Sequence, residues 1–513
     1  MAGISEDNKR IAKNTLFLYI RMFVTMFVTF YATRVVLSVL GVSDFGLYNA
    51  VGGIVSMFSM FGTTLTGGTQ RFMNVAMGEN DDLKLKRTFS ISLGLILVII
   101  IFLIILAETV GLWFLKTQMT IPEGREVAAF WVYQFSVAGL LFSLFQVPFT
   151  SCLIAHEEMN MYAYMSIYDA VMKLLIIYLI QWISYDSLIL YSFFILLVII
   201  SSSFIYVIYC RRKFIECTFS FLWEPKLAKQ IVEYSGWNIF GTSVGFFTGQ
   251  GVNLVLNVFC GTIINAARGL AMQVNAAIVQ FCSNFQVAVN PQIVKNFAAQ
   301  EYDRMYSLVV NNARIVEYLY LFIAIPAFLN IDFVLDVWLG KGSYPVETSV
   351  FLKIILIQSA FQVVNRPLIT CVHASGKMKW PNITAGISLM LMLPVSYLIL
   401  KLGGTATMVF VACAIMWTFD NIWDIYWPHK YTGIPVSLIL KKIYLNIFIG
   451  LLPMFFVPYL FSLFVFFNNE ILKFFAVCGV SVLTSVLVIY FWGLTPGMKN
   501  LVNSKLHLNA RQK

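Results

Sequence analysis

The sequence has 513 residues, of which 59% are hydrophobic and 12% are charged, and its net charge at pH 7 is +10. An ordinary soluble domain carries roughly 25% charged residues, so this composition excludes a water-soluble fold. Runs such as 91–106 and 188–200 are apolar on every face, which excludes a transmembrane barrel, because barrel strands alternate in polarity.

Fourteen membrane-spanning helices are predicted along the chain. A helix needs about 20 apolar residues to cross a hydrocarbon core of about 30 Å, and such runs follow one another from Asn14 to Trp492. The first run is too long for a signal-peptide core, so we expect it to be retained as a helix. The predicted spans are 14–40, 46–74, 88–113, 126–151, 159–183, 187–209, 231–256, 263–290, 305–330, 347–372, 382–400, 404–427, 443–467 and 471–492.

The connections between these spans differ strongly in positive charge. One side receives about 22 Lys and Arg residues and the other about five, which include Lys116, Arg125 and Lys401. The positive-inside rule assigns the rich side to the cytoplasm. The sequence therefore predicts a multi-pass protein of the bacterial inner (cytoplasmic) membrane with both termini in the cytoplasm. The basic residues do not gather on one soluble module, so no nucleic-acid partner is expected.

A constant offset of 219 residues relates the two halves of the chain. It pairs Pro148 with Pro367 and Cys152 with Cys371, among other matches, and many transporters are duplicated bundles. The predicted fold is all-α, with two six-helix bundles related by a pseudo-two-fold axis along the membrane normal and two C-terminal helices. The predicted segments are a cytoplasmic tail at 1–13, a bundle at 14–209, a cytoplasmic linker at 210–230, a bundle at 231–427, a linker at 428–442, two helices at 443–492 and a tail at 493–513.

Eight cations fall within the predicted spans, where each costs about 2.5–3.5 kcal/mol at a helix centre. Arg21, Lys173 and Arg314 lie deep, so we predict that they face a wet cavity. The other five lie near helix ends, where snorkelling to a headgroup is the alternative. These are Arg34, Arg71, Arg268, Lys353 and Arg366.

Local partners offer a second interpretation of two deep cations. Lys173 follows Asp169 by four residues and Arg314 precedes Glu317 by three, so each pair could neutralise itself. Arg21 has no such partner. Thr25 and Thr29 continue its helix face at four-residue spacing, so this stripe is predicted to line the cavity.

The eighth span is rich in amides. Asn265, Arg268 and Asn275 follow one face, while three residues follow a neighbouring face, namely Gln273, Gln280 and Asn284. Amides beside fixed cations suit a ligand with sugar hydroxyls and phosphate oxygens, which accept charge-assisted hydrogen bonds. Hydrogen bonding that holds bundle helices together is the alternative.

No catalytic constellation is visible. The four histidines fall in predicted cytoplasmic connections or the tail without a metal-ligand or nucleophile pattern, so neither an enzyme nor a cofactor or metal is expected. The eight cysteines form no CxxC motif and are interpreted as small packing residues. Asp420 and Asp424, at i and i+4, suit a cation or proton, although a solvated helix end is the simpler interpretation.

Two stretches resemble bacterial polysaccharide repeat-unit flippases. The first runs from Asn14-Thr-Leu-Phe-Leu-Tyr-Ile-Arg21 through Thr33-Arg-Val-Val-Leu to Leu40-Gly-Val-Ser-Asp-Phe-Gly-Leu-Tyr-Asn49. The second contains Asn265-Ala-Ala-Arg-Gly-Leu-Ala-Met-Gln-Val-Asn275, Asn290-Pro-Gln-Ile293, Trp338-Leu-Gly and Ala374-Ser-Gly-Lys-Met-Lys379. Such Wzx-type proteins, which serve O-antigen and capsule synthesis, belong to the multidrug/oligosaccharidyl-lipid/polysaccharide exporter superfamily.

The resemblance implies movement of undecaprenyl-diphosphate-linked oligosaccharide from the cytoplasmic to the periplasmic leaflet, for polysaccharide or lipopolysaccharide synthesis. It also implies a cationic cavity and, as partners, membrane lipid, a polysaccharide polymerase and other assembly proteins. Arg21, Lys173 and Arg314 are the leading candidates for this cavity, followed by Arg34, Arg71, Arg268 and Arg366.

The sequence offers candidate groups for energy coupling and more than one class of substrate. Asp169, Glu317 and Asp420 are the candidate groups for ion coupling. An ion-coupled multidrug antiporter of the same fold is the main rival, but it would favour carboxylates over arginines in its cavity. A membrane glycosyltransferase or polymerase would need a sizeable external loop with catalytic acids or bases, and the longest external loop predicted has fewer than about twenty residues.

Overall fold

The computed structural model describes the backbone of residues 2–79, 81–156, 158–218, 220, 223–465, 469–494, 499 and 503. Every regular element in this part is helical. Within the helices, some side chains lie outside the description. These are the side chains of 2–21, 63, 67, 71, 75, 78, 159, 234, 235, 237–242, 284, 287, 288, 291, 292, 294, 295 and 298.

Eight helices form the first part of the chain. They are α1 (Ala2–Ser56), α2 (Ser59–Gly78), α3 (Asp82–Leu106), α4 (Leu112–Thr117), α5 (Glu126–Ala155), α6 (Met159–Ile180), α7 (Ser187–Lys213) and α8 (Pro225–Cys260). A π-helical turn, Ala107–Gly111, joins α3 to α4. Short polar side chains cap several of these helices: Asp81 accepts a hydrogen bond from the Lys84 N–H at the start of α3.

Ten further helices follow. They are α9 (Thr262–Ala298), α10 (Tyr302–Leu329), α11 (Ile331–Leu339), α12 (Glu347–Ser375), α13 (Lys379–Met390), α14 (Met392–Lys401), α15 (Ala406–Thr432), α16 (Val436–Leu438), α17 (Leu445–Phe464) and α18 (Glu470–Val488). π-helical turns precede α17 at Ile439–Tyr444 and follow α18 at Ile489–Gly493.

The prediction of an all-α membrane protein is confirmed. In the described part of the chain, 12 helical segments are long and apolar enough to cross a membrane. The two other predicted spans, 46–74 and 263–290, also fall on helices, the former on the end of α1 with α2 and the latter on α9. The span 46–74 is interrupted by a turn at residues 57 and 58, whereas 263–290 lies within one helix.

Two predicted spans meet inside α1 without a loop. At Gly41 the backbone has φ 76° and ψ 169°, a conformation that side chains disfavour, and the helix continues beyond this kink. Gly261, between α8 and α9, has nearly the same conformation, with φ 78° and ψ −175°. Each half of the chain therefore turns at a single glycine.

Helix ends repeat at the predicted offset. The helix α7 runs from Ser187 to Lys213 and α15 from Ala406 to Thr432, so both ends differ by the predicted 219 positions. The preceding long helices, α5 and α12, end at Ala155 and Ser375, one residue from the same offset. The order and lengths of the helices thus agree with a duplicated chain.

The chain divides into two compact units. The first unit comprises Met1–Ala266 with Ser343–Pro345, and the second comprises Ala267–Gly342 with Val346–Lys513. The helix α8 belongs to the first unit because its Leu227, Ala228 and Ile231 pack with Ile91 of α3 in one buried cluster. The predicted linker at 210–230 overlaps the end of α7 and the first turns of α8, and the bundle boundary placed there stays a prediction.

Candidate functional site

The predicted cations of the first unit occupy different environments. Arg34 on α1 and Lys173 on α6 have exposed side chains. Among the described ion pairs, none joins Lys173 to Asp169, although the Asp169 carboxylate is partly buried and has one oxygen without a hydrogen bond. The side chains of Arg21 and Arg71 lie outside the described residues. Lys173 and Asp169 thus form no direct ion pair, but the charge of Lys173 still acts on the Asp169 carboxylate, so their mutual neutralisation stays an alternative.

The threonine stripe predicted to continue the helix face of Arg21 makes hydrogen bonds within its own helix. The hydroxyl of Thr25 donates to the Met22 carbonyl at 3.1 Å. Thr29 is exposed, and its carbonyl accepts a hydrogen bond from the Thr33 hydroxyl at 2.9 Å. Back-bonding of this kind satisfies a hydroxyl inside an apolar helix. The stripe as a cavity lining stays a prediction.

Arg314 is the most buried described cation of the predicted set, with 9% of its surface exposed. Its Nη2 donates to the Trp492 carbonyl at 2.7 Å, beside the end of α18, while its Nε has no hydrogen-bond partner. Glu317, one turn further along α10, is 3% exposed, and no described ion pair joins it to Arg314. Two ionisable groups of opposite sign are thus buried on one helix without direct neutralisation.

Arg366 belongs to a polar seam between α9 and α12. Its guanidinium donates to the Ser283 hydroxyl. On either side, Gln286 donates to the Val363 carbonyl at 3.5 Å, and Thr370 donates to Asn290 Oδ1 at 3.2 Å. These contacts agree with the alternative in which polar residues of the eighth span hold helices together.

The remaining residues of α9 divide between packing and partial exposure. Asn265 is fully buried and donates to Asn253 Oδ1 at 2.8 Å, so it joins α9 to α8. Arg268 and Gln273 are partly buried and Gln280 is exposed. Asn275 has a buried amide oxygen without a hydrogen bond. The side chain of Asn284 lies outside the described residues.

A polar network lies inside the second unit, formed by Asn365, Asp420, Asn421, Asp424 and Tyr444. Asn365 is fully buried; it donates to Asn421 Oδ1 at 2.6 Å and accepts from the Tyr444 hydroxyl at 2.5 Å. Asp424 interacts with Asn365 as well. Asp420 is 5% exposed, with one oxygen unpartnered, so the interpretation of a solvated helix end does not hold for it.

An apolar groove of about 680 Å³ runs along the second unit beside this network. Its walls come from α10, α12 and α17, and many of its side chains, such as Phe448 and Phe456, are exposed on the helix surface. Glu317, Tyr320 and Tyr444 are its polar residues. The other lining residues are Leu321, Ala324, Ile325, Phe328, Leu356, Ile357, Ala360, Phe361, Val364, Leu445, Ile447, Phe448, Leu451, Leu452, Phe455 and Phe456.

A three-residue ion cluster in the first unit was not predictable from the sequence. Arg125, at the start of α5, binds both carboxylate oxygens of Asp44 on α1 and also pairs with Asp186. Asp186 in turn caps α7 by accepting hydrogen bonds from the Leu188 and Ile189 N–H groups at 3.0 and 3.1 Å. The only signal in the sequence was an isolated arginine in a connection otherwise poor in cations.

Comparison with known proteins supports the transporter-like fold of the chain. A family model described as MatE matches residues 242–398. A structure of the lipid II flippase MurJ in an inward closed conformation has a TM-score of 0.70 at 14% identity and covers 96% of this chain and 100% of its own. An inward-facing multidrug resistance MATE family transporter of the MOP superfamily has a TM-score of 0.61 at 13% identity, with coverages of 81% and 98%.

The chain has the fold of these transporters. A MOP superfamily transporter from Pyrococcus furiosus, described by the reverse polarity of its binding pocket, has a TM-score of 0.59 at 14% identity and covers 82% of this chain and 96% of its own. No curated protein sequence matches the chain. Likeness at this level of identity concerns the fold, and function has to be argued from the site.

Proposed function

We propose that the chain is a flippase that moves undecaprenyl-diphosphate-linked oligosaccharide repeat units from the cytoplasmic to the periplasmic leaflet of the bacterial inner membrane. The observation that carries this proposal is the apolar groove, which lies beside buried ionisable groups on the second unit. A lipid-linked sugar needs both environments on one protein. In this proposal the product serves surface polysaccharide or lipopolysaccharide synthesis.

The groove suits an isoprenoid chain. Burial of each methylene group contributes about 0.8 kcal/mol, so a long tail stays in an apolar environment while its head group crosses. The groove is formed mainly by aliphatic and aromatic side chains of three helices, and its polar groups are Glu317 and the hydroxyls of Tyr320 and Tyr444. A tail lying in it would keep its diphosphate attached to the same unit.

The share of the chain that each similar structure covers also supports a flippase over a multidrug transporter. The lipid II flippase covers 96% of this chain, whereas the multidrug transporter covers 81%. The difference is comparable in length to residues 428–513, which contain α17, one wall of the groove. A flippase therefore accounts for more of the chain than a drug transporter does.

Cations would receive the diphosphate and the sugar. The candidates are Arg21, Lys173 and Arg314, with Arg34, Arg71, Arg268 and Arg366 as further members, and with Thr25, Thr29, Gln273, Asn275, Gln280 and Asn284 as polar lining. Arg314 is the strongest candidate. Its buried guanidinium donates one hydrogen bond through Nη2, and its Nε has no partner and could donate to a phosphate oxygen.

Transport would proceed by alternating access, with ligand binding biasing the equilibrium between inward-open and outward-open states. We propose that a cation or proton bound by Asp420, with Asp424 and Asn365 beside it, drives this cycle. Buried carboxylates are costly unless they are protonated or paired with a cation. Asp169 and Glu317 are the other candidates for coupling.

The proposal is tested by measuring which leaflet holds the lipid-linked oligosaccharide. The host strain lacks this gene and any redundant flippase, and it is complemented with wild type, Arg314→Ala or Lys401→Ala. We expect the substrate to accumulate in the cytoplasmic leaflet of the deletion strain. Wild type and Lys401→Ala, an exposed cation at the end of α14, should restore sidedness, whereas Arg314→Ala at equal expression should not.

Normal sidedness in the deletion strain would contradict the flippase. The second candidate is then an ion-coupled multidrug antiporter, which the buried Asp420 and Glu317 favour because such transporters exchange a cation for their substrate. Drug accumulation in the same strains would test it: a rise in intracellular drug on deletion, restored by wild type, would support the antiporter.

A further inference from the structure

Four potential metal ligands meet where α5 and α7 end in the first unit. Cys152 lies on the last turn of α5, and His156 follows it by four residues as the residue that ends the helix, so both side chains lie on one face. Glu216 and Cys217 come from the short segment after α7, which ends at Lys213. The distribution of Lys and Arg residues predicts that this end of the helices lies in the cytoplasm.

The ligand atoms are already close together. Glu216 Oε1 lies 2.5 Å from His156 Nε2 and 3.3 Å from Cys152 Sγ. Cys217 Sγ lies 3.4 Å from Cys152 Sγ. In a tetrahedral zinc site the bond lengths of about 2.0–2.3 Å place ligand atoms about 3.3–3.8 Å apart. The ligand atoms of Cys152, His156 and Glu216 all lie within 4.8 Å of one another. The contact between His156 and Glu216 would have to widen to admit the ion, and Cys217, which contacts Cys152, would have to move toward the other ligands.

Burial of this cluster favours a cation. Cys152, Cys217 and Glu216 are 0%, 1% and 4% exposed, and they lie within an apolar cluster that includes Phe149 and Leu153. A carboxylate in such surroundings is costly unless a positive charge compensates it. Zn²⁺ would offset two of the three negative charges of the carboxylate and the two thiolates, and it would bond directly to all three groups.

His156 has the orientation and access that a metal ligand needs. Its ring stacks on Phe214, with ring centroids 4.1 Å apart, so its Nε2 is held toward Glu216. Its side chain is 25% exposed, which leaves a path for an ion from solvent. A nearby cysteine, Cys210, donates to the Phe149 carbonyl at 3.5 Å and also interacts with the Cys217 thiol, so it packs beside the proposed ligands.

The corresponding positions in the second half of the chain show that helix packing does not by itself require the four ligand residues. At the offset of 219 residues, Cys152 corresponds to Cys371, which is also fully buried. The positions that correspond to His156, Glu216 and Cys217 are occupied by Ser375, Pro435 and Val436. A buried cysteine is therefore common to both halves, while the other ligands occur only in the first.

We propose that Cys152, His156, Glu216 and Cys217 bind one Zn²⁺ ion, which joins the end of α5 to the segment after α7. The ligand set of two thiolates, one imidazole and one carboxylate suits zinc, and four protein ligands indicate a structural site. Disulfides are rare in the cytoplasm, so reduced thiols would be available on the predicted side. Binding displaces the thiol protons to solvent.

Metal content of the full-length protein tests the site. The protein is purified in detergent without chelators, and zinc per chain is measured by mass spectrometry for wild type, His156→Gln, Cys217→Ser and the matched control Cys371→Ser. We expect about one zinc per chain in wild type and Cys371→Ser. Loss of a ligand should weaken binding by about 100-fold or more, so the other two variants should be nearly zinc-free.

A second measurement uses wild type alone, so it does not depend on how the variants fold. Zinc is removed with a chelator under reducing conditions and replaced by Co²⁺. Visible d–d absorption together with a thiolate-to-cobalt charge-transfer band would support the site. Absence of both bands, equal zinc in all four proteins, or a disulfide between Cys152 and Cys217 in freshly isolated protein would overturn it.

Discussion

The hydroxyl groups of Ser43 and Thr262 lie 3.5 Å apart, although 219 residues separate them in the chain. This separation equals the offset of the internal repeat. Ser43 follows the kink at Gly41 and Thr262 follows the turn at Gly261, so the two single-glycine turns meet. Two equivalent positions in contact are expected of elements related by a two-fold axis.

The first prediction concerns a disulfide at this contact. Replacement of both residues, Ser43→Cys with Thr262→Cys, should give a cross-link in most of the protein, because side-chain atoms 3.5 Å apart require little movement to form a bond. If the proposed alternating access separates these turns, the cross-link should also abolish substrate flipping. Mobility on non-reducing gels and the leaflet assay measure the two effects.

Reduction of the disulfide should restore flipping, and each single cysteine variant should behave as wild type. A complete cross-link that leaves flipping unchanged would contradict movement of these turns during transport.

The second prediction concerns the close approach of the Gly46 and Thr262 backbones, beside the contact between Ser43 and Thr262. A Cβ at Gly46 would lie 1.9 Å from the Thr262 carbonyl oxygen, whereas a Cβ at Gly52, on the same helix, would meet nothing within 4 Å. Gly46→Ala should therefore destabilise the protein by about 1–3 kcal/mol. Gly52→Ala should be neutral or stabilise the helix by about 0.5–1 kcal/mol. Thermal unfolding in detergent distinguishes them, and equal midpoints would refute the close approach.

Long, strongly apolar helices were predictable from the sequence. The predicted spans 126–151 and 187–209 agree with α5 (Glu126–Ala155) and α7 (Ser187–Lys213) to within a few residues. The membrane imposes this regularity, because every backbone polar group in hydrocarbon must be bonded within its own helix. The repeat was visible for the same reason: duplicated helices keep their lengths and prolines.

Contacts between distant segments were not predictable. Arg125 binds Asp44 and Asp186, which lie 81 and 61 residues away in the chain, and neither pairing leaves a local pattern. Asp420 lies near a predicted helix end, yet α16 and α17 follow and the residue is buried. The cysteines looked scattered because Cys152 and Cys217 meet only after α5 and α7 have packed.

The third prediction concerns the ion cluster around Arg125. The substitution Arg125→Gln would remove the guanidinium and leave the partly buried carboxylates of Asp44 and Asp186 without their ion pairs. Asp186, which caps α7, would thereby lose its charged partner. We expect a destabilisation of about 2 kcal/mol, since hydrogen bonds to charged groups contribute about 1.5–3 kcal/mol. The exposed Arg212→Gln serves as the control. An unchanged unfolding midpoint for Arg125→Gln would show that the cluster contributes nothing measurable.

The same cluster gives a fourth prediction, on pH. Partial burial raises the pKa of Asp186, but hydrogen bonds from Arg125 and the Ile189 N–H outweigh it, so the pKa lies below its ordinary value of 3.8. The stabilisation is thus complete above about pH 3.8 and is lost as the pH falls through the lower folded-state pKa. Asp186→Asn should lower the unfolding temperature at pH 7, and this difference should shrink in acid. A constant difference from pH 7 to pH 3 would contradict it.

The fifth prediction tests coupling at the polar network. Asp420→Asn keeps the size of the side chain but removes its charge, so a driving cation or proton loses its ligand. We expect substrate flipping to lose its dependence on the ion gradient, while Asp332→Asn, on the short helix α11, keeps it. Flipping in vesicles with an imposed pH or sodium gradient measures this. Full gradient dependence in Asp420→Asn would exclude this carboxylate from coupling.

The last prediction concerns the apolar groove and a neighbouring depression of the same unit. Ala360 lines the groove of about 680 Å³, whereas Ala414 lines an apolar depression of about 460 Å³ between α12 and α15. Tryptophan at Ala360 would occupy the volume proposed for the polyprenyl tail, so flipping should fall strongly at equal expression and equal thermal stability. The same substitution at Ala414 adds the same bulk to a surface with no role in the proposal and should leave flipping near wild type. Equal flipping in both variants would remove the groove from the substrate path, and with it the observation on which a lipid-linked substrate rests.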